Sequence, residues 1–203
     1  MAAARTVYVG GVGSTLTVDD VAAIAAGAAV QLDTAALERL KKESPPPKSF
    51  QPLAQPPEPL GQQPYLSARH TRATITLKLL ELLQGKSKAR PALAAFLGDA
   101  LNALPGLQLP SVSDAAALRA VGLACMGVGT VDGGTQLSAA LVAGQQQPPG
   151  LSAGEFAAMD TGRAPGGAVA CCTLVESRST LSAATAVVAL TAEALKADVR
   201  LMI

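Results

Sequence analysis

Apolar residues recur at helical spacing over most of this chain and at strand spacing in only two places. Thr6-Val7-Tyr8-Val9 is a short β-branched run closed by Gly10-Gly11, and Val30-Gln31-Leu32 reads as extended. Between them Thr17 is a good N-cap with Asp19 and Asp20 in the first turn. Val18, Val21, Ala22 and Ala25 then share one face until Gly27 stops the helix. Asp33 or Thr34 caps a second helix through Leu40. Residues 67–84 predict a longer one, with Thr71, Ile75, Leu79 and Leu82 on one stripe, Arg72 and Lys78 on another, and Gly85 as its stop. Pro91 opens the next, reaching about Leu104 with Leu93, Phe96, Leu97, Ala100 and Leu101 inward. Residues 114–126 form a further Ala/Leu helix ended by Gly127, and 136–143 a short one. A turn at 150–154, a helical turn at 155–160 and a break at 162–167 follow. Residues 168–196 then read as one long Ala-rich helix or two in series. The pattern predicts a mostly α fold with one or two short N-terminal strands.

Residues 41–61 interrupt this pattern with seven of the 14 prolines: Pro45, Pro46, Pro47, Pro52, Pro56, Pro57 and Pro59. Proline that dense excludes helix and sheet interiors. The chain therefore divides into N-terminal strand and helices (1–40), a Pro-rich extended arm (41–66) and a helical region (67–203). The seven prolines are the candidate partner-binding residues, because polyproline geometry loses little entropy when it docks.

With 49% hydrophobic but only 2% aromatic residues in 203, the core must be built from Ala, Leu and Val. The charged fraction of 15% is well below the usual quarter, so exposed positions must often be uncharged. Covered surface follows, meaning protein partners in a larger complex, with a homo-oligomer among the possibilities. Sixteen Lys+Arg against 15 Asp+Glu, with no basic run longer than Lys41-Lys42, argues against a nucleic-acid partner. No apolar run approaches the roughly 20 residues of a membrane span, which argues against a membrane partner. The N-terminus has no apolar stretch of the kind a secretory signal needs. Three cysteines without a CxxC pair point to the cytoplasm or another reducing compartment.

Candidate chemistry is sparse. Gly85-Lys86-Ser87 resembles the end of a phosphate loop, but Leu80 stands where that loop needs a glycine. His70, the sole histidine, sits at a helix start beside Arg69 and Arg72, as a solvated residue would. Cys171-Cys172 lies in an apolar helical stretch where small buried thiols are ordinary. Thr6-Val7-Tyr8-Val9 lacks the second aromatic strand of an RNA-recognition fold. No carboxylate pair or metal-ligand cluster is visible, and no cofactor is expected.

One stretch goes beyond composition. Residues 71–91, TRATITLKLLELLQGKSKARP, resemble without gaps a helix and glycine turn of the histidine and phenylalanine ammonia-lyase family, whose pattern is Arg-Ala, leucines, then Gly-x-Ser-Gly-x-Arg. Leu16-Thr17-Val18-Asp19-Asp20-Val21 with Gly27 resembles that family's opening Leu-Thr-x-x-x-Val helix. Phe50-Gln51, Gly61 and Leu66 loosely match the segment before the arginine helix. Residues 189–195, ALTAEAL, resemble its Ala-Leu-Ser-x-Glu-Ala-Leu helix. The resemblance is collinear over about residues 14–195 and implies a helical fold like the N-terminal part of a much longer family chain.

The same resemblance implies chemistry that depends on methylidene-imidazolone, an electrophile made by cyclising an internal Ala-Ser-Gly. The tripeptide belongs just before an Asp-Leu-Ala-x-Leu helix, which Asp114-Ala115-Ala116-Ala117-Leu118 resembles. Before it stand Ser111, Val112 and Ser113, aligned with the tripeptide or just upstream of a deletion, and no Ala-Ser-Gly occurs anywhere in the chain. The family's tyrosine loop is replaced by residues 41–49, KKESPPPKS, and the asparagine of its Asn-Gly-Thr turn by Thr161. The chain's end at Ile203 is expected to remove the C-terminal helices that complete the family's tetramer.

The leading expectation is a non-catalytic ammonia-lyase-like protein serving as a structural or interaction subunit. The alternatives are a lyase subunit active only beside a full-length partner and an unrelated helical interaction module. Two expectations accompany the leading one. The arm should be extended, contacting other molecules and exposed to proteolysis. The stripes Leu181, Val188, Leu195 and Val187, Leu190 should be left uncovered.

Overall fold

The computed structural model describes residues 5–10, 16–43, 51–53, 66–84, 89–103, 113–127 and 148–194. Their order is β1 (Thr6–Val9), α1 (Val18–Ala25), β2 (Ala29–Leu32), α2 (Thr34–Glu43), α3 (Ala68–Gln84), α4 (Pro91–Ala103), α5 (Asp114–Cys125), α6 (Ala153–Met159) and α7 (Ala164–Ala194). The fold is mostly α with a short two-stranded sheet. A helix expected at 136–143 lies outside the described residues.

The two extended runs pair in parallel, from Thr6 opposite Ala29 to Val9 opposite Leu32, with α1 as the crossover. Val7 and Val9 turn into the core while Tyr8 is 62% exposed, so the strand buries one face. On the far edge of β2, Asn102 of α4 takes the place of a third strand. Its Oδ1 accepts from Val30 N at 2.8 Å and its Nδ2 donates to Val30 O at 2.9 Å. α1 begins as its residues dictate: Thr17 and Asp20 form a reciprocal capping box, and Gly27 leaves the helix at φ +111°, where only glycine is unstrained. Arg5, just before β1, binds Asp20 Oδ1 at 2.5 Å and ties the strand to the helix.

α3 is the axis of the molecule, with α1, α4 and α7 packed around it. Thr71, Ile75, Leu79 and Leu82 are buried as the stripe predicts, but so are Arg72 and Lys78. A helix enclosed on several sides must bury its polar positions too, and each finds a partner. Thr74 and Thr76 donate to the carbonyls four residues back, both at 2.8 Å. Arg72 Nε donates to Ile24 O at 2.8 Å and its two terminal nitrogens to Leu101 O and Ala28 O, closing the ends of α1 and α4 with one side chain. Burial lowers the Arg72 guanidinium pKa, yet an arginine stays charged through the ordinary pH range. One core runs from Val7 to Met159, and a smaller cluster of Val21, Ala25, Ala73, Ala168 and Cys172 joins α1, α3 and α7.

Several boundaries differ from the sequence pattern. α2 continues three residues past Leu40 to Glu43, started by Asp33 Oδ1 accepting from Ala35 N at 3.0 Å and held by Arg39 donating to Leu83 O. α6 begins at Ala153, because Ser152 and Glu155 form a second capping box. The expected break at 162–167 is shorter: α7 starts at Ala164, with Pro165 in its first turn, where a helix needs no N–H, and continues as one 31-residue helix. Pro52 and Gln51 are exposed, and Leu53 N donates to Leu151 O at 2.8 Å, so this part of the arm is fastened to its own chain. Pro45, Pro46, Pro47, Pro56, Pro57 and Pro59 lie outside the described residues.

Candidate functional site

The start of α5, the start of α7 and the middle of α3 converge. Ser113 is the N-cap of α5: its backbone is extended (φ −157°, ψ 158°) and its Oγ accepts from Ala116 N at 3.1 Å. Asp114 follows in the first turn, and a methyl group added at Gly166 of α7 would stand 3.3 Å from its Oδ2. One at Gly167 would stand 3.2 Å from Leu77 of α3. Small residues at the head of α7 thus let the three elements meet. Ser111 and Val112 lie outside the described residues.

Thr161 lies in the turn before α7, with its hydroxyl donating to Ala157 O at 3.1 Å and Ala158 O at 3.3 Å. Its carbonyl accepts from Lys78 Nζ at 2.5 Å, and the same ammonium reaches Glu81 Oε2 at 3.1 Å. The Lys78 side chain is fully buried while that of Glu81 is 48% exposed, so the pair runs from the interior to the surface. Gly162 sits at φ +113°, and a Cβ there would stand 2.8 Å from Glu81 Oε2. Gly162→Ala is therefore expected to lower stability by about 1–3 kcal/mol, measured by urea denaturation, through backbone strain and displacement of the carboxylate.

Sequence reasoning singled out Ser113 and Thr161 but not the ion pairs that hold their surroundings. The second of these pairs is Arg90–Glu155. Glu155 Oε1 accepts from Arg90 N at 3.0 Å and Nε at 2.8 Å, and Oε2 accepts from Ser152 N at 2.9 Å. Arg90 Nη2 also donates to Gly150 O at 2.7 Å and Pro149 O at 3.2 Å. Burial pushes the Glu155 carboxyl up, but the hydrogen bonds from Arg90 and Ser152 and the Arg90 charge outweigh it and hold the group below the usual carboxylate range. The signal was present as Ser152-x-x-Glu155, a capping-box spacing.

None of this amounts to an activated nucleophile. His70 is half-buried with Nδ1 3.1 Å from Ser67 Oγ. Burial pushes the thiols of Cys125, Cys171 and Cys172 up, away from the thiolate a nucleophile requires. No group of three metal-ligating side chains occurs among the described residues. No helix among them is long and apolar enough to cross a membrane.

Comparison with known proteins places this architecture. The model of the aromatic amino acid lyase family matches residues 58–202, most of the chain. This chain belongs to that family. Eleven chains of solved structures match it as well. One is the crystal structure of phenylalanine ammonia-lyase from the yeast Rhododporidium toruloides, at 18% identity and a TM-score of 0.59. The match covers 84% of this chain but 31% of the yeast enzyme, so the lyase-family chain described here spans under a third of that relative's length. No curated protein matches. The matched region of the lyase-family chain takes in α3, α4, α5, α6 and α7, and with them Ser111, Val112, Ser113 and Thr161.

The family's electrophile does not fit these residues. Cyclisation needs a glycine amide to attack an alanine carbonyl and a central serine to lose water. Here Val112 occupies the middle of Ser111-Val112-Ser113, and Ser113 is an ordinary helix cap.

Proposed function

We propose that this lyase-family chain is a non-catalytic subunit that contributes structure and binding surface to a larger assembly. The absence of Ala-Ser-Gly from the entire sequence carries the reading. Without the electrophile there is no covalent activation of an amino acid, and no perturbed acid, base or thiol among the described residues supplies another route. Thr161 in place of the turn asparagine supports the same conclusion. So does the low charged fraction of 15%, which suits a surface that is mostly covered. The Pro-rich arm is a second contact in this proposal, with Pro45, Pro46, Pro47, Pro52, Pro56, Pro57 and Pro59 laid along a partner, and a reducing compartment is its setting. Incubating the purified chain with histidine, phenylalanine or tyrosine is expected to release no unsaturated acid. Turnover above that of a heat-inactivated control contradicts the proposal.

A further inference from the structure

The two edges of the small sheet differ in how the rest of the chain treats them. Ala29 N donates to Arg5 O at 3.0 Å and Asp33 N to Val9 O at 3.1 Å, so with Val7 opposite Val30 the backbone groups of Arg5, Val7 and Val9 face β2. Strand alternation then turns the N–H and C=O of Thr6 and Tyr8 to the outer side. The same alternation turns those of Val30 away from β1, and there Asn102 takes both. Among the described residues nothing does the same for Thr6 or Tyr8, and both are exposed. Nor is this edge guarded by sequence. Open edges are commonly blunted by proline, lysine or an inward-pointing charge, and Thr6-Val7-Tyr8-Val9 has none of these, while the flanking Arg5 is held by Asp20.

We infer that β1 is a docking edge for an extended segment of a partner protein, which adds to the sheet as a third strand antiparallel to β1. The proposal rests on the interaction-subunit reading and gives that subunit a mode of recognition. In this arrangement the partner residues opposite Thr6 and Tyr8 each exchange both backbone hydrogen bonds with them. Those two residues must keep their N–H groups, so neither is proline. The one opposite Tyr8 stands on the same face of the sheet as the exposed ring and is selected as aromatic or β-branched.

Two other occupants fit the edge less well. The Pro-rich arm of this chain lacks N–H groups at the seven prolines of residues 41–61. A second copy could pair β1 with β1 about a two-fold axis at Val7, but strands of four residues fall far short of the roughly 1,200 Å² at which stable interfaces begin. A segment already tethered within a larger assembly needs no such area, because its local concentration is high.

The test is selection of short random peptides displayed on phage against the immobilised full chain. One enriched peptide is then synthesised and its affinity for the full chain measured by fluorescence polarisation. Tyr8→Pro removes an outward N–H and leaves the bonds to β2 in place, as does Thr6→Pro, and proline is tolerated where the N–H of an edge strand faces solvent. Each variant should keep its helical circular dichroism and bind the peptide about tenfold more weakly, the worth of one hydrogen bond left unmade. N-methylation along the peptide, read on the unaltered chain, should weaken binding at alternate residues and spare those between. No enrichment over a bare support, an affinity that both proline variants leave unchanged, or a uniform response to N-methylation overturns the proposal. Sedimentation showing a wild-type dimer and a Tyr8→Pro monomer gives the edge to a second copy and overturns it as well. Failure to bind peptide without lyase turnover overturns the docking edge alone, whereas turnover overturns the non-catalytic reading whatever the peptides do.

Discussion

Replacing Arg72 with alanine is expected to destabilise the chain by about 3–5 kcal/mol, a large share of the 5–15 kcal/mol that holds a typical domain together. The guanidinium is the donor to the carbonyls of Ile24, Ala28 and Leu101, and the residue is only 5% exposed. A buried carbonyl left without a donor costs about 1–3 kcal/mol, and water entering the vacated space offsets part of the sum. The melting temperature should fall on the order of 10 °C. Arg72→Lys should recover less than half of the loss, because one ammonium cannot span two helix ends as the planar fork does. Thermal melts and urea titrations of both variants check this. Equal stability of Arg72→Ala and wild type would mean that the three carbonyls find other donors.

Glu155 is expected to be the second most costly residue to alter, at about 3 kcal/mol for Glu155→Gln. The change leaves Arg90 partly buried without its countercharge and disrupts the cap of α6. The effect depends on pH with a definite sign. The folded state holds the Glu155 carboxyl below its usual range, so its contribution is fully present above the unfolded carboxylate range. It is lost as pH falls through the folded value. Wild type and Glu155→Gln should therefore converge in stability as the solution is acidified. Asp20, lowered by hydrogen bonds from the Thr17 side chain and backbone with help from the Arg5 charge, adds acid sensitivity of the same sign to wild type and variant alike. Urea titrations at neutral and acid pH measure the convergence, and a gap that stays constant would contradict it.

What the sequence made legible was local. Thr17 with Asp20, Gly27, Pro91 and the leucine stripes of α3 and α4 each act within a turn or two of helix, and the structure places them as their chemistry requires. Illegible were the partnerships across long stretches of chain. Val30 and Asn102 are 72 residues apart, and Arg90 and Glu155 are 65. Arg72 and Lys78 look like surface residues in the pattern, because nothing local shows that three helices enclose α3. At the candidate site the residue types were legible, including the missing Ala-Ser-Gly. The burial of Lys78 and the meeting of Asp114 with Gly166 were not, since both depend on where α7 starts. The exposure along α7 was legible for a simple reason: Leu181, Val187, Val188 and Leu190 face several sides of one helix and all are exposed, while Leu195 lies outside the described residues.

This member of the lyase family is expected never to form the family's electrophile. Intact-mass spectrometry of the protein purified from its native source tests it most directly, because cyclisation and elimination each release water from the chain. The expected mass shows no water lost between Leu109 and Asp114 when that peptide is sequenced. A chain lighter by the lost waters, with the deficit mapped to Ser111, Val112 and Ser113, would contradict it.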